Sequence, residues 1–374
     1  MPYFLAGGGH IIAAESITHY LNKKRPDWDI RFLEPADAFS DKKLDRFFRK
    51  SWQMLLRNPI LAKFVYALFA NTIPSTTMKA NDNAIRKAVP KAIGYLLGYK
   101  PDLIITTHFG CGHIFDRARK ELDYDIPLLY IRNDLGRAFH IQDCNADILF
   151  ITSEDAKNDF IRIGVPKEKL QNVNFLVRPQ FVENRLAKSE ARIKLDIPQD
   201  AYTILFTCGG EGLGFGAIMD FVNAFLQIAK QHNLKPRVLV VTGRNQKLLA
   251  DLKSQYSTPE VIPFGYRDDM HVLTAASDLV GGKFGAIYSM ETLTMQKPFI
   301  GTIIGAPNEY YNKEFVVNNG YGWYTPTPRD FCAVLENLFR DKSVVEEMSV
   351  RFSKLPLKNG AEVIADTIIQ MMSL

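Results

Sequence analysis

Phe206-Thr207-Cys208-Gly209-Gly210-Glu211-Gly212-Leu213-Gly214-Phe215-Gly216 is the segment on which the reading of this chain turns. It begins inside an apolar run of strand length, residues 202–207, and runs into a helical pattern over 215–231. Five glycines in eight positions between a strand and a helix are hard to explain by packing alone. Glycine lets backbone approach a ligand closely, and the first turn of a helix offers unbonded N–H groups at the positive end of its dipole. Such a loop can wrap a diphosphate or admit a ligand head group. The spacing is not a strict dinucleotide fingerprint, so its place after the first strand of a new domain carries more weight than the glycines themselves.

The same strand–glycine–helix arrangement occurs twice more. Gly281-Gly282-Lys283-Phe284-Gly285-Ala286-Ile287-Tyr288-Ser289-Met290-Glu291 ends one strand and opens a helix at Gly285-Ala286. That N-terminus suits a diphosphate, with Lys283 as counter-charge. Glu291 lies about two turns along, where its carboxylate can reach two vicinal hydroxyls of a ribose. Near the start, Ala6-Gly7-Gly8-Gly9-His10 follows a strand and opens a helix. His10 places an imidazole, of ordinary pKa about 6.5, where ligands of parallel sheets bind, and is read as a general base.

Outward from these loops, strand runs at 2–6, 29–33, 102–107, 127–132, 147–152, 202–207, 237–242, 259–263, 278–281 and 298–302 alternate with helical patterns at 10–24, 153–163, 215–231, 245–256 and 285–296. This alternation predicts parallel sheets covered on both faces. With 374 residues the chain divides into two domains, 1–180 and 181–374, with the last helix, near 359–372, a candidate to cross back to the first. Residues 40–99 carry helical patterns without a strand and read as an insertion in the first domain.

Hydrophobic residues make up 47% and charged residues 23%, an ordinary globular balance with a net charge of +5. Residues 41–63 hold Lys42, Lys43, Arg46, Arg49, Lys50, Arg57 and Lys63 against only Asp41 and Asp45, so this segment carries an excess equal to the whole chain's. Trp52, Phe47, Phe48 and several leucines are interleaved with the cations. A basic, aromatic helix of this kind predicts contact with an anionic membrane surface, and a local charge without a recognition motif argues against nucleic acid. The longest uncharged apolar stretch, residues 64–70, is far below the roughly 20 residues needed to cross a bilayer. Met1 leads almost directly into a strand, which leaves no room for a signal peptide. Four dispersed cysteines favour a reduced compartment. The expected location is therefore peripheral, on the cytoplasmic face of a membrane.

Gly7-Gly8-Gly9-His10, Tyr99-Lys100-Pro101-Asp102-Leu103-Ile104-Ile105, Val177-Arg178-Pro179-Gln180-Phe181, Gly209-Gly210-Glu211-Gly212-Leu213-Gly214 and Val316-Val317-Asn318-Asn319-Gly320 occur in one order along nearly the whole chain. Together they resemble glycosyltransferase family 28, in particular its diacylglycerol branch of monogalactosyldiacylglycerol synthases and processive diacylglycerol glucosyltransferases. The resemblance implies an α/β fold of GT-B type, two Rossmann-like domains facing across a cleft. It implies an inverting hexosyltransferase using a UDP-sugar and a lipid acceptor, with no metal and no other cofactor. His10 is then the catalytic base. Gly8, Gly9, His108 and Asp134 fall on the acceptor side. Gly209, Gly210, Glu211 and Gly212 fall on the donor side, with Phe264, Gly265 and Tyr266 at the uracil and Lys283, Phe284, Gly285 and Ala286 at the diphosphate. Glu291 falls at the ribose.

Relatives often carry a Gln-Glu pair at the donor sugar, where this chain has Asn308-Glu309. At 133–137 this chain reads Asn-Asp-Leu-Gly-Arg, where relatives usually carry Thr-Asp followed by a His and a Trp. Sugar and acceptor lipid both stay open on these departures. Asp27-Trp28-Asp29 and Asp123-Tyr124-Asp125 mimic a metal-binding Asp-x-Asp, but each lies beside a strand start. His108-Phe109-Gly110-Cys111-Gly112-His113 fits no common zinc spacing. The rival readings are a nucleotide-sugar epimerase of the same architecture and a catalytically idle lipid- or nucleotide-binding relative.

Overall fold

The computed structural model describes residues 1–4, 8–39, 41–45, 54, 58, 60–61, 64, 75–135, 146–210, 212, 218–306, 308–356 and 358–373. The chain forms two compact units, one comprising Met1–Leu55, Ile60–Arg178 and Lys358–Leu374, the other Leu56–Pro59 and Pro179–Leu357.

The first unit contains a parallel sheet of β1 (Ile104–Thr106), β2 (Leu128–Ile131), β3 (Ile148–Ile151) and β4 (Leu170–Asn172), in that order. Ile104 pairs with Leu128, Leu129 with Ile148 and Leu149 with Leu170. β1 and β2 are buried throughout and apolar apart from Thr106, as suits strands covered by helices on both faces. Ala88, Val89, Ala92 and Leu96 of the Ser75–Tyr99 helix pack on Ile114, Phe115 and Ala118 of the Phe109–Glu121 helix, against Ile104 and Leu128. The expected strands at 2–6 and 29–33 reduce to one parallel bridge, Pro2 to Leu33, although Tyr3 and Leu33 still donate in ladder fashion to Leu33 and Met1.

The closing helix, Gly360–Met372, belongs to this first unit. Asn359 caps it by accepting from Ala361 N at 3.0 Å, while its amide donates to Val177 O at 2.9 Å. A Cβ on Gly360 would stand 2.8–3.0 Å from the carbonyl oxygens of Val173, Asn174 and Phe175, so only glycine lets the helix start so close to that chain. Lys24, on the opening helix Gly9–Lys24, holds Glu362 and Asp366 of the closing helix.

The second unit is a six-stranded parallel sheet of β5 (Ala201–Thr207), β6 (Lys235–Val241), β7 (Val261–Phe264), β8 (Leu279–Lys283), β9 (Phe299–Ile303) and β10 (Gly322–Tyr324). Its spatial order is β10-β9-β8-β5-β6-β7. The chain therefore starts in the middle, builds outward through β6 and β7, then returns to the other side of β5 for β8, β9 and β10. That reversal between β5 and β8 is the point of a doubly wound sheet where ligands settle, outside the carboxyl ends of the strands. Phe206, Phe221, Phe225, Val238, Val240 and Phe331 pack together on one face. Arg192, 2% exposed, donates to the carbonyls of Ala276 and Gln199 and pairs with Asp278 at 2.7 Å, tying the segment before β5 to the segment before β8.

Candidate functional site

In the first unit, the site forms at the carboxyl end of β1. His10 is the second residue of the opening helix, whose N-cap Gly8 supplies no side chain to cover the first-turn N–H groups. The His10 Nδ1 atom lies 2.5 Å from the Thr107 carbonyl oxygen, and the Thr107 hydroxyl donates back to the His10 carbonyl at 3.0 Å. A carbonyl oxygen only accepts, so the neutral ring carries its proton on Nδ1 and leaves a lone pair on Nε2. The Asn133 amide stands 3.4 Å from the same Nδ1. Burial holds the His10 pKa below its ordinary value, opposed by the Thr107 hydrogen bond and by Asp134, and assisted by Arg132. The result is an imidazole that is neutral at pH 7, with Nε2 available to take a proton.

His108 is 3% exposed and caps the Phe109–Glu121 helix, its Nδ1 accepting from Gly110 N at 3.0 Å. Its ring meets His10 edge-on with centroids 4.8 Å apart, and burial drives its pKa well down. This imidazole is a neutral wall beside His10 as well as a cap. Asp134 is half-buried and pairs with Arg132 at 3.2 Å. Gly8 is exposed and Gly9 half-buried. Gly7, Arg137 and His140 lie outside the described residues. A cavity of about 500 Å³ in the same unit is lined by Trp28, Tyr95, Tyr99, Arg25 and Arg31 among others, and by neither His10 nor Thr107. The Asp27 and Asp29 carboxylates are held by Arg25 and Arg31.

In the second unit, the carboxyl edge of the sheet gathers nearly all the expected residues. Gly209 and Gly210 follow β5, Phe264 to Tyr266 close β7, and Lys283 ends β8 with Phe284 to Ala286 after it. Gly209 has φ +71°, and a Cβ there would stand 3.0 Å from Lys283 Cε; a Cβ on Gly285 would stand 3.6 Å from the same atom. Lys283 thus reaches across the reversal point between the β5 loop and the Ala286–Thr294 helix. Gly285 is that helix's N-cap and brings no side-chain acceptor to its N–H groups. Glu291, in the second turn, is 0% exposed. Burial also sends the Cys208 thiol up to about 12, which keeps it protonated and inert.

Four residues after β6 were not singled out from sequence, yet they hold the glycine loop in place. Gly243 has φ +60°, and a Cβ there would meet the carbonyl oxygens of Gly209 and Gly210 at 2.3 and 2.5 Å. Arg244 N donates to Gly210 O at 2.9 Å, and Asn245 Nδ2 donates to Gly212 O at 2.9 Å. Thr242 donates through N and Oγ1 to Phe264 O at 2.9 and 3.1 Å, fixing the β7 end as well. Tyr266 is 52% exposed, with the Arg244 guanidinium 5.2 Å from its ring centroid. Gly265 is half-buried beside Leu249.

Two residues expected on the donor side have their side chains engaged within the protein. Phe284, expected at the ligand, turns its side chain into the core, where it is 0% exposed and meets Phe299 and Tyr324. Gly301 leaves the room for it, since a Cβ there would stand 1.9 Å from the ring. Glu309, expected at a sugar, has both carboxylate oxygens engaged: Oε1 with Lys283 Nζ at 3.0 Å and Oε2 with Gly305 N at 2.7 Å. Asn308 is the half-buried N-cap of the Glu309–Asn318 helix. Glu211 lies outside the described residues, as do Arg46, Arg49, Lys50, Trp52 and Arg57; Lys43 is exposed, and the Lys42 side chain is outside the description. No described helix is long and apolar enough to cross a membrane.

Residues 203–364 match the glycosyltransferase family 28 C-terminal domain. The chain is 25% identical over 366 residues to monogalactosyldiacylglycerol synthase 1 of Arabidopsis thaliana, covering 93% of this chain and 66% of that protein. It thus spans a little under two thirds of that relative's length. Among solved structures, MurG of Acinetobacter baumannii superposes with a TM-score of 0.61 at 14% identity, covering 99% of each chain. A UDP-GlcNAc 2-epimerase from Neisseria meningitidis, bound to UDP-GlcNAc, gives 0.60 at 13% identity, again over 99% of each. These two likenesses are of fold alone: α/β, with two Rossmann-like units of the GT-B type. Residues 203–364 are thus similar to the C-terminal domain of glycosyltransferase family 28, and the chain resembles a monogalactosyldiacylglycerol synthase over most of its length.

Proposed function

We propose that this chain is an inverting glycosyltransferase that moves a hexose from a UDP-sugar to a lipid acceptor, diacylglycerol or a glycosyldiacylglycerol. The observation that carries the reading is the convergence of Gly209, Lys283 and the uncapped Ala286–Thr294 helix at the β5/β8 reversal, a place suited to a diphosphate. His10 supports transfer chemistry, because its tautomer leaves Nε2 able to accept a proton.

In the proposed step, Nε2 of His10 takes the acceptor hydroxyl proton while that oxygen attacks the anomeric carbon. The bond to UDP breaks on the opposite side, which inverts the centre. Helix N–H dipoles and Lys283 stabilise the charge gathering on the diphosphate, so the step needs no metal. Glu291 holds the ribose, and Phe264, Gly265 and Tyr266 hold the uracil. Gly8, Gly9, His108 and Asp134 shape the acceptor side. The basic segment 41–63 places the enzyme on the cytoplasmic face of an anionic membrane, each cation near the surface worth about 1 kcal/mol.

The test offers UDP-glucose, UDP-galactose and UDP-N-acetylglucosamine with diacylglycerol in anionic liposomes and reads products by mass spectrometry. A β-linked glycolipid supports the reading. A changed nucleotide sugar without lipid product replaces it with the epimerase reading, and UDP binding without any turnover replaces it with the idle relative.

A further inference from the structure

We infer that Glu309 is a positioning residue for Lys283, setting the lysine over the diphosphate place. This deepens the proposed function and rests on its placement of the diphosphate. The Glu309 side chain is 4% exposed, and each carboxylate oxygen has a partner within the protein. Oε1 takes the Lys283 ammonium at 3.0 Å, and Oε2 takes Gly305 N–H at 2.7 Å. A carboxylate so engaged is oriented from two directions, by a charge and by a backbone dipole.

Lys283 is the member of the pair with access: its side chain is 25% exposed. It ends β8, two residues before Gly285, and its Cε lies 3.0 Å from where a Cβ on Gly209 would be. A lysine ammonium on a four-carbon stem is mobile in water, and its attraction for a phosphate is that of a point charge whose position must be set. Glu309 sets it. The pair also lowers the cost of keeping a lone cation at a half-closed site before the ligand arrives. Diphosphate oxygens would then share the ammonium with Glu309.

The experiment is calorimetric titration of the full chain with UDP. Lys283→Ala is expected to weaken UDP about tenfold to a hundredfold, as loss of a charge-assisted contact does. Glu309→Gln and Glu309→Asp are expected to weaken it about threefold to tenfold. In the Lys283→Ala background, Glu309→Gln is expected to weaken UDP no further, because nothing remains for it to position. A further loss of UDP affinity in the double variant, or wild-type UDP affinity in both Glu309 variants, overturns the inference. Absence of UDP binding by the wild-type chain overturns the proposed function together with it. Glu309→Asp keeps the charge and serves should Glu309→Gln not fold.

Discussion

His10 Nδ1 and the carbonyl oxygen of Thr107 stand 2.5 Å apart although 97 residues separate them in sequence. This contact decides which ring nitrogen holds the proton and leaves the lone pair on Nε2. His10→Ala is expected to lower kcat about a hundredfold to ten-thousandfold with little change in UDP affinity, as loss of a general base does. Because burial lowers the His10 pKa, kcat/KM should hold as pH drops to 6.5 and decline only below it. Steady-state kinetics from pH 5 to 8 checks both; an unchanged rate in His10→Ala removes it from the mechanism.

Gly243 and Gly210 separate loop support from ligand approach. Gly243→Ala puts a side chain in the left-handed region and into two carbonyl oxygens, so it should cost at least about 1–3 kcal/mol of stability and weaken UDP binding by displacing the loop. Gly210→Ala meets nothing within 4 Å and should leave the melting temperature unchanged. If a diphosphate lies against that backbone, UDP affinity falls all the same. Thermal melts and UDP titrations of the two variants should therefore split.

Phe284 should behave as a core residue. Phe284→Ala is expected to cost about 3–5 kcal/mol in urea denaturation. The milder Phe284→Leu should cost less and keep UDP affinity within about twofold of the wild type. A stable Phe284→Ala protein with weakened UDP binding would contradict the burial found here.

Stability should fall on mild acidification. His10 and His108 both have folded pKa values below the unfolded value of 6.5, so the unfolded chain binds more protons as pH drops. Their contribution is fully present above about pH 6.5 and is lost as pH falls through the lower folded values. Urea midpoints at pH 8, 6.5 and 5 should show little change over the first interval and a decline over the second. His108→Asn should flatten that decline.

Much of the architecture was readable because its signals are local. The runs at 202–207, 237–242 and 298–302 recur as β5, β6 and β9 within two residues, since strands buried on both faces must be continuously apolar. β4, Leu-Gln-Asn, is short, polar and at a sheet edge, and so carried no such signal. β10, Gly-Trp-Tyr, is equally short. The loop at 242–245 went unnoticed because a single glycine after a strand is common. Only the carbonyls of Gly209 and Gly210 above it make that glycine obligatory.

Sequence alone determined the alternation of strands and helices, the three glycine turns and the presence of an imidazole after the first of them. Each depends on periodicity or backbone sterics within a few residues. The tertiary structure decided that β8 lies beside β5, that Phe284 points inward and that Glu309 serves Lys283. It also decided that Thr107 sets the proton of His10. Those outcomes depend on which distant segments become neighbours, and a hydrogen bond or a core contact acquires its partner only when the sheet has assembled.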